Sequence, residues 1–489
     1  MIPGKQKVIG SILWSLGGNM FSQLFTWVFT FLIARILSPA DYGLVGISGI
    51  YMLLASFIND MGIGAAIIQK KDITEEEVET IYSFSLILSL VLAGFTLLIA
   101  KPYADFFNEP KIAELLRVYS ITFILSSATS IQLNLLTRDM KFKEMAYFEV
   151  ISRIISILSG YFSAVTGFGV WTLVVQHIVF QAVSFICQFQ ACRQMPGKIS
   201  FGRIKKIFPL IKFGLNVMTS KIMFYFYRNI DLFLIGKFIG KDFLGSYSLA
   251  GTLADKPFEK LISVLNKVFF PFFSKVKDDK ENVKNFFLKK FKLEILLIVP
   301  IFAGISLISK DIILVFLGEK WKDAILPLQI ISAVGIFRFI DNIASTIAIS
   351  LGYPSFQRNY ILALFIVVGG SMFLLIKKMG INGIYISWLC IYVPMSCLYF
   401  YLFLRKIEVP FSSVMMQSMR IVYCLIIMIA VVMGLNFYFQ YTTVFTLLVK
   451  VLVGIISYFI SVFIIDKEGF DEVKDIILHS QSLISGRKL

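Results

Sequence analysis

The sequence predicts an all-α polytopic membrane protein with about 14 transmembrane helices. Three observations carry that reading. About fourteen apolar stretches are each long enough to cross a bilayer. Hydrophobic residues make up 57% of the 489 and charged residues only 16%, too little polar surface for a soluble globule of this length. The connections are too short to fold separately, and open sheet edges would leave backbone groups unsatisfied in hydrocarbon, so helices are the economical solution.

The elements follow in order. A basic head at residues 1–7 leads into an apolar run that lacks the short core and small-residue end of a cleaved signal, so residues 9–36 form a first membrane helix. LSPADYG at 37–43 breaks the chain before the second span, 44–67, because proline and glycine punctuate helices. The third span is 80–100, FNEP at 107–110 is a turn, and the fourth is 115–136. GFG at 167–169 separates spans 146–166 and 169–190. Spans 208–235 and 243–273 bring the first dense charge into apolar surroundings. Then come 286–308, 325–351, the turn GYPS at 352–355, and spans 359–376, 381–404, 414–437 and 443–465. Residues 466–489 form a polar tail with weak amphipathic character, suited to the inner membrane face.

With the N-terminus in the cytoplasm, the inner connections and tails collect roughly 27 Lys and Arg against roughly ten outside, which sets the orientation. Shifting the chain by about 202 residues lays FLIARILSPADYGLVGISG (31–49) over FLIGKFIGKDFLGSYSLAG (233–251), with FLI, a basic residue and two glycines matching. A repeat of six helices places the two halves in parallel topology, with a cavity expected near the midplane. The expected organisation is an N-terminal lobe at 1–205, a C-terminal lobe at 206–406, two appended helices within 407–465, and a cytoplasmic tail at 466–489.

Ionisable groups within spans are costly and therefore candidates for function. Lys221, Arg228 and Asp231 fall on the seventh span, Asp255, Lys256, Glu259, Lys260 and Lys267 on the eighth, and Arg338 and Asp341 on the tenth. Steps of four, three and four align Lys256, Lys260, Ser263 and Lys267 on one stripe. Lys221, Lys256 and Arg338 fall near mid-depth, and cations gathered at one level suit an anion such as phosphate. The candidate substrate ligands are Lys221, Arg228, Lys256, Lys260 and Arg338. Asp60, Asp231, Glu259 and Asp341 are candidates either to carry a coupling H+ or Na+ or to pair with neighbouring cations. The structural alternatives are an Asp255–Glu259 network neutralising the lysines, an Arg228–Asp231 pair, and a snorkelling Lys267. Arg153 lies within the fifth span, and His177, alone on an apolar span, is expected to be a core residue.

Other chemistries are excluded by pattern. The five cysteines have no CxxC spacing and only two histidines for company, so structural zinc and a disulfide framework are not expected. The net charge of +16 is dispersed between spans and not gathered into a nucleic-acid-binding domain. No P-loop, HExxH or GxSxG is present, so no catalytic residues and no enzyme are expected.

The ordered series LSPADYGLVGI (37–47), DMGIGAAIIQKKDITEEEVETIY (60–82), FFNEP (106–110), LTRDMKFKEMAYFEV (136–150), GFGVWTLV (167–174), RNIDLFLIGKFIG (228–240) and VFFPFFSKVKDD (268–279) resembles the bacterial polysaccharide exporters, the Wzx-type lipopolysaccharide and O-antigen flippases. Their superfamily also holds the MATE drug exporters and the lipid II flippases. The resemblance implies a MATE-like bundle of two six-helix lobes with two further helices. It also implies transport of an undecaprenyl-diphosphate-linked oligosaccharide across the bacterial inner membrane for lipopolysaccharide, capsule or exopolysaccharide assembly. The partners so implied are that polyprenyl-diphosphate-linked oligosaccharide, membrane lipids and other polysaccharide-assembly proteins, with no nucleic acid, metal or cofactor. Only Arg228 and Asp231 among the charged candidates of the seventh, eighth and tenth spans fall within these motifs. One rival is a cation-coupled multidrug exporter of the same fold, which would favour an acidic or apolar cavity. The other is a membrane glycosyltransferase or polymerase, which would need carboxylates beside a sizeable external loop.

Overall fold

The computed structural model describes residues 25–469 apart from 62–63, 65–66, 68–72, 193–194, 196, 198–200, 257–272, 274–278 and 468. Side chains at 201–206, 210, 213, 216, 217 and 220 are likewise not described. Among the described residues every regular element is a helix. In chain order these are α1 (Phe25–Ile36), α2 (Pro39–Asp60), α3 (Glu75–Phe107), α4 (Lys111–Tyr119), α5 (Ile121–Arg138), α6 (Phe142–Val165), α7 (Trp171–Cys192), α8 (Phe201–Phe238) and α9 (residues 241–256). Then follow α10 (Lys280–Leu307), α11 (Ile325–Ser350), α12 (Pro354–Met379), α13 (Ile381–Lys406), α14 (Phe411–Tyr438) and α15 (Val444–Ile465).

Ten helical spans among the described residues, with α4 and α5 together making one, are long and apolar enough to cross a membrane, eleven if α10 and the segment Ser309–Leu317, bent by 67°, make one span. Three of the fourteen expected spans remain. The first and the eighth, 9–36 and 243–273, lie partly outside the described residues. The seventh, α8, carries Lys221, Arg228 and Asp231 along its middle and is too polar to qualify by composition.

Helix boundaries follow local chemistry. Ser38 caps α2 in a reciprocal box with Asp41, and Pro39 occupies the first turn, where its missing N–H costs nothing. Thr74 and Glu77 form the same box on α3, which starts earlier and ends later than the expected 80–100. The expected turns appear as left-handed backbone at Asn108, Gly167, Gly169 and Gly352.

The chain divides by internal packing into residues 1–245 and 246–489, a different partition from one drawn by repeat length. In the first unit Tyr103 donates to the Ile47 carbonyl at 2.9 Å, Tyr225 donates to the Ile50 carbonyl, and Asn59 donates to the Phe123 carbonyl at 3.0 Å. These side-chain bonds tie α2 to α3, α8 and α5 through backbone oxygens. At the start of α2 and of α9 the chain approaches itself reciprocally. A Cβ on Gly43 would fall on the carbonyl of Lys241, and one on Gly245 would fall on the carbonyl of Pro39. Both the glycines and their carbonyl partners are separated by the 202-residue shift of the repeat. Lys241 also pairs with Glu109 at 2.8 Å.

The second unit has a continuous core from α10, α11, α13, α14 and α15, including Phe287, Phe291, Phe403 and Val462. Two ionic clamps hold α15. Near its start Lys450 reaches both carboxylate oxygens of Asp311, at 2.9 and 3.0 Å, with both side chains buried. Just past its end Asp466 meets Lys292 of α10 at 3.1 Å and Arg420 of α14 at 3.6 Å. A third pair, Lys290–Glu294, lies one turn apart on α10 at 2.7 Å and is 1% and 2% exposed, so each charge is neutralised locally where water is absent.

Candidate functional site

Among the described residues, each unit holds a grouping of candidate charges, apart from the ion pairs that clamp the helices of the second unit. In the first, Asp60 is the last residue of α2, and Met61 closes the helix with φ 41°. Its carboxylate receives Lys221 Nζ from α8 at 2.9 Å and faces Ser130 Oγ at 3.5 Å. The pair lies against a cavity of about 270 Å³ whose wall is rich in serine. Lys221 and Asp60 side chains remain 43% and 33% exposed, which an ion pair facing lipid would not tolerate, so the open side suits water. Further along α8, Arg228 is exposed, while Asp231 is buried and accepts a bond from the Leu232 amide at 2.8 Å.

In the second unit, α9 and α11 bring Asp255 to Arg338 at 3.7 Å, an ion pair longer than a hydrogen bond. The guanidinium also lies 4.2 Å from the ring centre of Trp388, whose indole N–H donates to Tyr247 at 3.0 Å. Trp388 sits in a π-helical turn, Ser387–Tyr392, that widens α13. One turn beyond Arg338, Asp341 is buried and accepts three hydroxyls: Tyr360 and Tyr392 at 2.7 Å and Ser396 at 2.6 Å. Tyr360 stacks on Tyr399 with ring centres 3.7 Å apart, fixing the donor's direction. This carboxyl is therefore held from three sides by α12 and α13.

Of the expected ligands, Lys221 belongs to the first unit, Lys256 and Arg338 to the second. Asp255 is drawn to Arg338 across helices, in place of acting only on the lysines of its own helix. Lys256 is exposed at the end of the described part of α9. Glu259, Lys260 and Lys267 lie outside the described residues. Arg153 pairs with Glu149 at 3.0 Å, and His177 packs against the ring of Tyr119. The sequence reading missed Trp388, Tyr360, Tyr392 and Ser396, because tyrosine, tryptophan and serine in an apolar span carry no signal of their partner. It also missed Lys450, the one charged residue of its span and a signal that was there to be read.

The family described as polysaccharide biosynthesis protein matches residues 32–326. The chain belongs to this family. Among curated relatives it is 24% identical over 416 residues to the lipopolysaccharide biosynthesis protein WzxC of Escherichia coli K12, covering 82% of each chain. It is likewise 24% identical over 350 residues or fewer to others, among them the succinoglycan biosynthesis transport protein ExoT of Rhizobium meliloti, over 314 residues and 63% of each chain. Among solved structures, the lipid II flippase MurJ in its inward closed conformation superposes with a TM-score of 0.74 at 17% identity, over 94% of this chain and 99% of that one. That likeness establishes the fold. Asp60, Lys221, Arg228, Asp231, Asp255 and Lys256 fall within the matched stretch, while Arg338 and Asp341 lie beyond it.

Proposed function

We propose that this multi-pass membrane protein carries a polyprenyl-diphosphate-linked oligosaccharide across the bacterial inner membrane by alternating access, supplying lipopolysaccharide, capsule or exopolysaccharide assembly. Both termini lie in the cytoplasm in this reading. The observation that carries it is the placement of one cation, Arg338, beside a carboxylate partner from another helix and the ring of Trp388, in a chain of the polysaccharide biosynthesis family. A guanidinium 3.7 Å from Asp255 and over the ring of Trp388 is suited to exchange that carboxylate for the more highly charged diphosphate, while the polyprenyl tail stays in lipid. Relatives named as a lipopolysaccharide biosynthesis protein and a succinoglycan transport protein support the substrate class. Among the described carboxylate candidates, Asp231 and Asp341 are read as carriers of a coupling H+ or Na+, and Asp60 as the ion-pair partner of Lys221.

The test is surface polysaccharide export in a host lacking this protein, complemented by wild type or by Arg338→Ala at matched membrane levels. Wild type restores export, and Arg338→Ala leaves lipid-linked glycan in the inner leaflet. Failure of wild type to restore export refutes the reading.

A further inference from the structure

We propose that the Asp60–Lys221 cavity of the first unit is a subsite for a neutral sugar ring of the carried glycan; the inference rests on the carrier function proposed for this chain. The cavity's wall includes Ser56, Phe57, Asn59, Ser126 and Ser127 beside the ion pair. Serine and asparagine serve membrane helix packing, and here the same side chains also line the cavity and present oxygens to it. Ser56 and Ser126 donate to the carbonyls of Leu53 and Phe123, at 2.7 and 3.1 Å; Ser56 Oγ keeps its lone pairs for an incoming hydroxyl, and Ser126 Oγ, which also accepts from Asn59, keeps one. Asn59 commits its amide N–H groups to the Phe123 carbonyl and Ser126 Oγ.

Charge selects the ligand class. Asp60 and Lys221 sum to zero, so the cavity offers one strong acceptor and one strong donor without a net field. A diphosphate entering it would meet the Asp60 carboxylate 2.9 Å from the cation it sought, and an inorganic cation would meet Lys221 in the same way. A sugar hydroxyl donates to one and accepts from the other at no such cost. Phe57, edge-on to Tyr225 with ring centres 5.7 Å apart, supplies an apolar surface for the C–H face of a pyranose. Lys221, expected from the sequence to bind phosphate, is thereby reassigned to the glycan.

Purified full-length protein in detergent is examined by saturation-transfer NMR with D-glucose, D-galactose, N-acetylglucosamine and L-rhamnose, and separately with inorganic pyrophosphate. At least one sugar gives a signal on wild type, and Lys221→Met and Asn59→Leu each weaken its binding by about tenfold. Each variant is accepted only with a monodisperse elution profile, and Asn59→Ser replaces Asn59→Leu where the latter does not fold. Absence of any sugar signal, a sugar signal unchanged in both variants, or a pyrophosphate signal alone lost with Lys221→Met overturns the subsite. If wild type restores export while the variants bind sugar as wild type does, the subsite falls and the carrier function stands. If wild type fails to restore export but the sugar signal is present and lost in the variants, the carrier function falls and the sugar site stands.

Discussion

Replacing Lys450 by methionine isolates the energetic weight of one buried ion pair. Lys450 and Asp311 are 3% and 5% exposed, and the ammonium reaches both carboxylate oxygens, at 2.9 and 3.0 Å. At an effective dielectric of about 20, unit charges at that separation attract by about 6 kcal/mol, most of which offsets the cost of taking both charges out of water. Methionine keeps the length of the side chain, so packing of α15 is nearly preserved, but Asp311 is left buried without its counter-charge. The single variant should lose about 3–5 kcal/mol. The double variant Lys450→Met with Asp311→Asn removes both charges and should recover most of that loss. Reversible unfolding of purified protein, followed as a double-mutant cycle with Asp311→Asn as the other arm, measures the coupling. A single-variant loss below about 0.5 kcal/mol, or a double variant no better than the worse single, would refute the assignment of a tightly coupled pair.

Three further outcomes are expected. Gly43→Val places its side chain on the Lys241 carbonyl and should cost about 1–3 kcal/mol by overpacking, whereas Gly94→Ala, inside α3 with nothing near the added carbon, should leave stability unchanged or raise it by up to about 1 kcal/mol; thermal stability of the two variants compares them. Tyr360→Phe and Tyr392→Phe should each lower stability by about 2 kcal/mol, and Asp341→Ala by more than either, because it strands three hydroxyls at once; chemical unfolding orders the set. Arg338→Lys keeps the charge but loses the planar group against Trp388, so complemented export should fall by about tenfold at equal membrane level, while equal export would remove the stacked guanidinium from the mechanism.

Much of the fold is legible in the sequence because bilayer crossing imposes length and apolarity on each element separately. Ser38 and Pro39 mark the start of α2, and Gly167, Gly169 and Gly352 mark turns, since each acts on backbone within a few residues of itself. The site is less legible because its chemistry is assembled between helices. Arg338 is visible in the sequence as a cation within an apolar span, but that Asp255 and Trp388 would face it depends on how α9, α11 and α13 rotate about their axes. Asp341 shows the same limit: its donors come from residues 360, 392 and 396, and no periodicity within one helix relates them to position 341. Asp311 reads as a loop residue, because the chain bends by 67° after α10 and returns it to buried surroundings.

The reciprocal approach of Gly43 to Lys241 and of Gly245 to Pro39 has the form of a contact in a two-fold symmetric homodimer, where position i of one copy meets position j of the other and the reverse. Here both copies lie in one chain, so the two halves of the contact are free to differ, and what differs is informative. Positions 39 and 241 hold proline and lysine, side chains with nothing in common, because it is their backbone atoms that the glycines approach. Positions 43 and 245 are both glycine, because there the missing carbon is what permits the approach. A backbone contact thus leaves its mark on one partner's identity and none on the other's, which is why the internal echo survives as scattered glycines within an otherwise divergent stretch.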